Sequence, residues 1–150
     1  VTSSPPPSSS PLSTPSKHRA SVTLEVPFHD VDSLNIVWHG HYLKYLEIAR
    51  TQLFRDLGLT SGRVSDTLEY VLVVIESKLR HSAPLRFADK FRVDAWLKEI
   101  DYRICVAYEV HNLTTGRRAL KAHTMLATLD PKGELLVETP RELLGFLEHR

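Results

Sequence analysis

Residues 29–42 gather His29, Asp30, Asp32, His39, His41 and Tyr42 into one short stretch, spaced by Val31, Ser33, Leu34, Asn35, Ile36, Val37, Trp38 and Gly40. An aspartate carboxylate can attack a carbonyl carbon or draw a proton from water. An unperturbed imidazole exchanges protons near pH ~6.5. The stretch leads directly into a run of helical period. The first backbone N–H groups of a helix lack partners within it and carry partial positive charge, so they can polarise a carbonyl or hold an oxyanion. A carboxylate beside such donors is the minimum set of groups for hydrolysing a thioester.

The helix behind this stretch is visible in the spacing of Tyr42, Leu46, Ala49, Leu53 and Leu57, which recur at steps of four, three, four and four and so share one face. Gly58 stands at the C-terminal position, and Ser61, Gly62 and Ser65 continue as a connecting loop. Ahead of the polar stretch, Val22, Leu24 and Val26 alternate with polar residues as a short half-buried strand. After the helix the period changes to two. Residues 70–80 form an apolar strand, whose run from Val71 to Ile75 reads as buried, and Pro84 separates it from the next. Phe91, Val93, Ala95 and Leu97 define a further strand, and Tyr102, Ile104, Val106, Tyr108 and Val110 another, joined near Ile100 and Asp101. A turn at Thr114, Thr115 and Gly116 leads to a strand over residues 117–129, closed by Asp130, Pro131, Lys132 and Gly133. Residues 141–147 can form a short terminal helix. This order predicts an α+β fold, an antiparallel sheet wrapped around one long helix. One helix covers only one face of such apolar strands, so a second copy is expected to cover more.

The chain of 150 residues fits a single domain. Residues 1–19 are mostly Ser, Pro and Thr, with too few apolar side chains to offset the entropy of ordering a backbone; they read as a disordered, dispensable tail ahead of a domain over residues 20–150. Lys and Arg number 19 against 18 for Asp and Glu, a balance that gives no field for nucleic acid or an anionic membrane. The single cysteine, Cys105, lies in an apolar strand and reads as a small buried side chain, which suits a reducing compartment. No apolar run approaches the roughly 20 residues of a membrane helix, and no secretory signal is visible, so the expected location is cytoplasmic.

The chemistry-bearing stretch resembles the 4-hydroxybenzoyl-CoA thioesterase family and its bacterial acyl-CoA thioesterase relatives, which have the hot-dog fold. The residues that carry the likeness are Asp30-Val31-Asp32, then Asn35-Ile36-Val37-Trp38-His39-Gly40-His41-Tyr42, then Glu47-Ile48-Ala49-Arg50. Pro84-Leu85-Arg86-Phe87-Ala88-Asp89 also looks like the family's lead-in to its next strand. The resemblance implies a hot-dog domain, a homodimer or homotetramer with active sites between subunits, and an acyl-CoA or acyl-carrier-protein thioester as substrate. Asn35 stands where the family has Gly, and His41 where it has Asn. Asn is the non-glycine residue best able to take a positive φ, so the loop can keep its shape. The His41 change alters how the helix start is held or marks a different acyl preference.

By this resemblance Asp32 matches the catalytic aspartate, nucleophile or general base; the plainer reading is a turn residue bonded to nearby N–H groups. Asp30 is read as a loop anchor. His39 sits where the family presents a backbone N–H to the thioester oxygen, with its ring as a possible water-orienting group, and Trp38, His41 and Tyr42 are the expected substrate contacts. Glu47 is read as a solvated helix charge or a partner of Arg50, although a related hot-dog branch uses a helix glutamate for catalysis. His29, His39, His41 and Asp32 do not have the spacing of a closed zinc site, so neither metal nor organic cofactor is expected. The basic residues Arg80, Arg86, Arg103, Arg117, Arg118 and Lys121 could meet CoA phosphates, though surface charges are more often simply solvated. Two other functions compete: a hot-dog dehydratase on 3-hydroxyacyl carrier-protein thioesters, which would want a His with an acidic partner, and a non-catalytic acyl-thioester binding module, against which Asp32 argues.

Overall fold

The computed structural model describes residues 12–59 and 70–149. The elements run β1 (Arg19–Glu25), α1 (Tyr42–Asp56), β2 (Val71–His81), β3 (Lys90–Glu99), β4 (Ile104–Asn112), β5 (Arg118–Leu129) and α2 (Arg141–Leu147). The five strands make one sheet in the order β1-β3-β4-β5-β2, every neighbouring pair antiparallel. This is the α+β architecture that the alternation and the single long helix predict, arranged as the hot-dog fold that the resemblance implies.

α1 packs on β1 and β3 through Tyr42, Tyr45, Leu46, Ala49 and Leu53, all buried. Against them lie the inward side chains Phe91, Val93 and Ala95 of β3 and Val106, Tyr108 and Val110 of β4. Each fully buried leucine or phenylalanine here contributes about 2 kcal/mol of hydrophobic stabilisation. The helix ends as its sequence suggests. Gly58 takes φ +94°, its N–H donates to the Arg55 carbonyl at 3.0 Å, and the Leu59 N–H donates to the Phe54 carbonyl at 2.8 Å. That pair of bonds is the Schellman closure, in which a left-handed residue satisfies the last carbonyls. The loop expected over Ser61, Gly62 and Ser65 lies outside the described residues.

One expectation is corrected. The apolar run at the start of β2 is not buried in the single chain: Val71, Val74 and Ile75 are 36%, 48% and 42% exposed. β2 is an edge strand beside β5, at the far side of the sheet from the β1–β3 half that α1 covers, and period-two alternation does not say where a strand stands in its sheet. Residues 1–11 of the expected tail lie outside the described residues. Residues 12–18 pair with the C-terminal end: the Ser16 N–H donates to the Leu147 carbonyl at 2.7 Å, the His149 N–H to the Thr14 carbonyl at 2.8 Å, and Pro15 bridges Glu148. Backbone groups pair whatever side chains they carry, which is why a Ser/Pro-rich composition hides this contact.

Candidate active site

Between β1 and α1 the chain makes a tight hairpin that presents Asp32. Val31 bridges Val37, the Asp32 N–H donates to the Ile36 carbonyl at 2.9 Å, and the Asn35 N–H donates back to the Asp32 carbonyl at 2.9 Å. Closing so short a loop needs a left-handed residue, and Asn35 supplies it with φ +62°. The substitution of Asn for the family's Gly therefore keeps the turn. Asp32 Oδ1 accepts the Leu34 N–H at 2.8 Å, the Asx arrangement of the plainer reading, and the carboxylate remains half-buried at the rim. The hairpin is shouldered by residues 84–89: the Val37 N–H donates to the Leu85 carbonyl at 2.8 Å, and Ile36 bridges Arg86. Asp89 holds that shoulder, accepting from the Arg86 N–H at 2.9 Å and the Asn112 side chain at 2.8 Å.

Asp30 is buried, as an anchor should be. Lys44 of α1 donates to both its oxygens, at 2.7 and 2.9 Å, and the Tyr45 hydroxyl donates to Oδ2. The rings of His29 and His41 lie 3.7 and 3.8 Å from Oδ1. Burial pushes the Asp30 carboxyl up, but the bonds from Lys44 and Tyr45 and the charges of Lys44 and His41 outweigh it and hold the group below the usual value. Burial, with the Asp30 carboxylate beside it, pushes the Tyr45 phenol far above its ordinary range. One carboxylate thus ties the loop to the first turn of the helix, and the backbone carbonyl of Asp30 accepts the Trp38 N–H at 3.1 Å.

The helix begins with a 3-10 turn at His39–His41. The His41 N–H donates to the Trp38 carbonyl and the Tyr42 N–H to the His39 carbonyl. Among the described residues no acceptor takes the amides of His39 and Gly40, so these are the open donors at the start of the helix. Gly40 has a steric role that composition does not disclose. A Cβ there would sit 2.1 Å from the Trp38 ring, so only glycine lets the indole lie across the turn. Trp38 also packs on His39 and His41, with ring centroids 4.8 and 5.4 Å apart.

A cleft of about 380 Å³ opens at this point, lined among others by Asp32, Trp38, His39, Tyr42, His81 and Ser82. It brings together four of the five residues expected from the sequence: Asp32, His39, Trp38 and Tyr42. His41 is not among its lining residues; its ring turns toward Asp30 and Trp38, since the buried carboxylate draws it to the other side of the turn. Tyr42 is buried, which raises its phenol, and a backbone hydrogen bond with Leu85 opposes the rise. Glu47 lies elsewhere, in a shallow groove on the outer side of α1 with Lys44, Ile48 and Arg55. Its expected partner Arg50 instead donates to the Tyr108 hydroxyl at 3.1 Å, beneath the helix.

His81 was missing from the sequence-based set. It ends β2, meets Tyr42 edge-on at 4.9 Å between ring centroids, and faces the cleft. Burial pushes its imidazole below the ordinary histidine value, and the nearby charge of His39 adds to the effect. The available signal was parity: beyond the bulge at Ile75, alternation places Ser77, Leu79 and His81 on one face of β2.

A hairpin carboxylate and two open amides at a helix start stand at one cleft, and residues 26–147 match the family described as the thioesterase-like superfamily. The chain belongs to that superfamily, whose class is that of thioester hydrolases. It is similar to the putative acyl-CoA thioesterase YneP of Bacillus subtilis, 24% identical over 106 residues covering 70% of this chain and 75% of the relative. It is also similar to the acyl-CoA thioesterase YbgC of Haemophilus influenzae, 22% identical over 129 residues covering 86% and 94%. Its fold superposes on that of a mutant 4-hydroxybenzoyl-CoA thioesterase complexed with 4-hydroxybenzoyl-CoA, with a TM-score of 0.71 at 17% identity, covering 85% of this chain and 97% of the other.

Proposed function

We propose that the protein hydrolyses an acyl-CoA thioester to free acid and thiol, with Asp32 as nucleophile or general base. The observation that carries this is the placement of Asp32 in the same cleft as the turn whose His39 and Gly40 amides are open. A thioester carbonyl lodged between them receives attack on carbon from the Asp32 side, by the carboxylate or by water that it deprotonates. The charge that develops on oxygen falls to the amides and the positive end of α1. The carbon–sulfur bond then breaks. The names of YneP and YbgC support a CoA ester over a carrier-protein ester as substrate. His39 acts in this reading through its backbone N–H, while Trp38 and Tyr42 wall the acyl side.

The working unit in this reading is a homo-oligomer, at least a dimer. The exposed Val71, Val74 and Ile75 lie on an edge strand, where apolar side chains beside unpaired backbone groups call for a partner strand. Since His81 ends the same strand, the cleft stands beside that edge.

The decisive experiment replaces Asp32 with Asn, which keeps size and removes charge. Turnover of a panel of aliphatic and aromatic acyl-CoA esters is expected to fall by about two orders of magnitude or more, with the fold and assembly retained. Near-normal turnover would sink the assignment and turn attention to Glu47 and the His39 ring.

A further inference from the structure

Breaking the carbon–sulfur bond leaves an alkyl thiolate, more basic than an aryl thiolate, whose departure is assisted when a proton is delivered to it. As a nucleophile Asp32 holds no proton for that sulfur, and as a base it takes up the proton of the attacking water. Among the described residues, two imidazoles line the cleft, those of His39 and His81. His39 sits at the first residue of the 3-10 turn before α1, and its ring is packed against Trp38. His81 comes from a different element. Its backbone is fixed opposite Leu120 of β5, the next two amides, Ser82 and Ala83, both donate to the Ala119 carbonyl, and its ring is steadied edge-on by Tyr42.

We infer that His81 is the acid that protonates the departing sulfur, an inference that rests on the thioesterase reading above. As the carbon–sulfur bond breaks, its electron pair goes to sulfur and the His81 imidazolium passes its N–H proton there, giving neutral thiol. The water consumed delivers hydroxyl to the acyl carbon, and its remaining proton, taken up at Asp32, restores the imidazolium. Atoms balance as thioester plus water giving acid plus thiol.

The titratable groups that line the cleft with His81 are Asp32 from the hairpin, His39 from the 3-10 turn and Tyr42 from α1; on β5 Leu120 stands opposite His81, and Arg80 pairs with Lys121 on the other face of the sheet. Because burial and His39 lower the His81 imidazole, its acid form is lost as pH rises through a value below the ordinary 6.5.

The test compares N-acetylcysteamine thioesters, which leave as alkyl thiolates, with S-phenyl thioesters, whose weakly basic thiolate departs without a proton, using hexanoyl and benzoyl groups in both. In His81→Gln, kcat/KM for the alkyl esters should fall by about a hundredfold, while the S-phenyl esters lose less than about a tenth of that factor. Equal losses on both series, or none on the alkyl series, overturn the assignment. The unaltered protein gives a second reading that needs no variant. Its alkyl-to-aryl rate ratio should decline from about pH 5 to about pH 8, and a ratio independent of pH overturns the proposal. Asp32→Asn should slow both series alike. A parent protein inactive on both overturns the thioesterase reading itself, and this inference with it.

Discussion

Replacing Asp30 with Asn keeps the shape of the buried side chain and removes its charge. The parent carboxylate accepts two bonds from Lys44 and one from Tyr45 with its own side chain fully buried. Removing one member of a buried ion pair costs about 3–5 kcal/mol. Here the Lys44 side chain is 46% exposed and can turn its ammonium to water, so most of that penalty is escaped. What remains is the loss of charge-assisted bonds, about 1.5–3 kcal/mol, and a net loss of about 2 kcal/mol is expected. For a chain of this size that lowers Tm by about 4–8 °C. The pH dependence has a definite sign. The folded-state carboxyl is held below its ordinary 3.8, so its contribution is complete above that value and disappears as pH falls through the folded value. Urea unfolding of parent and variant should therefore differ by a constant amount from about pH 5 to about pH 8 and converge below about pH 4. A loss under about 0.5 kcal/mol at neutral pH, within the ordinary range for surface substitutions, would refute the anchor role. So would a gap that persists undiminished in acid.

Two further outcomes follow from the hairpin and the sheet edge. Asn35→Ala should cost about 1 kcal/mol, because alanine at φ +62° meets the left-handed penalty, whereas Asn35→Gly should stay within about 0.5 kcal/mol of the parent; equal stabilities by urea titration would refute the turn argument. Ile75→Glu places a charge on an exposed residue of the β2 edge, so the chain should fold, sediment as a monomer and lose turnover; an intact oligomer, or an active parent monomer, would overturn the intersubunit reading.

The local elements were legible because each is written in a local period. The helix over Tyr42 to Leu53 follows from a repeat that only a 3.6-residue turn turns into one face, and β3, β4 and β5 follow from alternation. The hairpin could be foreseen at Asn35 because few residues accept positive φ. Features that depend on sheet order were hidden. β2 reads as buried because its side chains are apolar, yet its burial depends on standing at an edge, a fact set by the β5 pairing some fifty residues later. His81 was missed and the role of Arg50 misjudged for the same reason: each acts across elements, one toward Tyr42 and the cleft, the other toward Tyr108. The pairing of residues 12–18 with the C-terminal segment is carried by backbone, to which composition is blind.

The two aspartates of one motif show how structure divides roles that sequence spacing leaves alike. A carboxylate has about four lone-pair sites. Asp30 spends its sites on Lys44 and Tyr45, with two histidine rings close by, and each donor that holds it also lowers its basicity and screens it from a carbonyl carbon. Asp32 accepts the Leu34 N–H on Oδ1, and among the described residues no cation pairs with it. It keeps sites for water or substrate and stands at a cleft where Asp30 does not reach. The anchor must be saturated to hold the helix start against the hairpin, and the reactive group must be left under-coordinated to act on a bond. Exchanging those environments would disable both, so in the proposed reaction the chemistry falls to the second aspartate because the first fastens the turn that presents the amides to it.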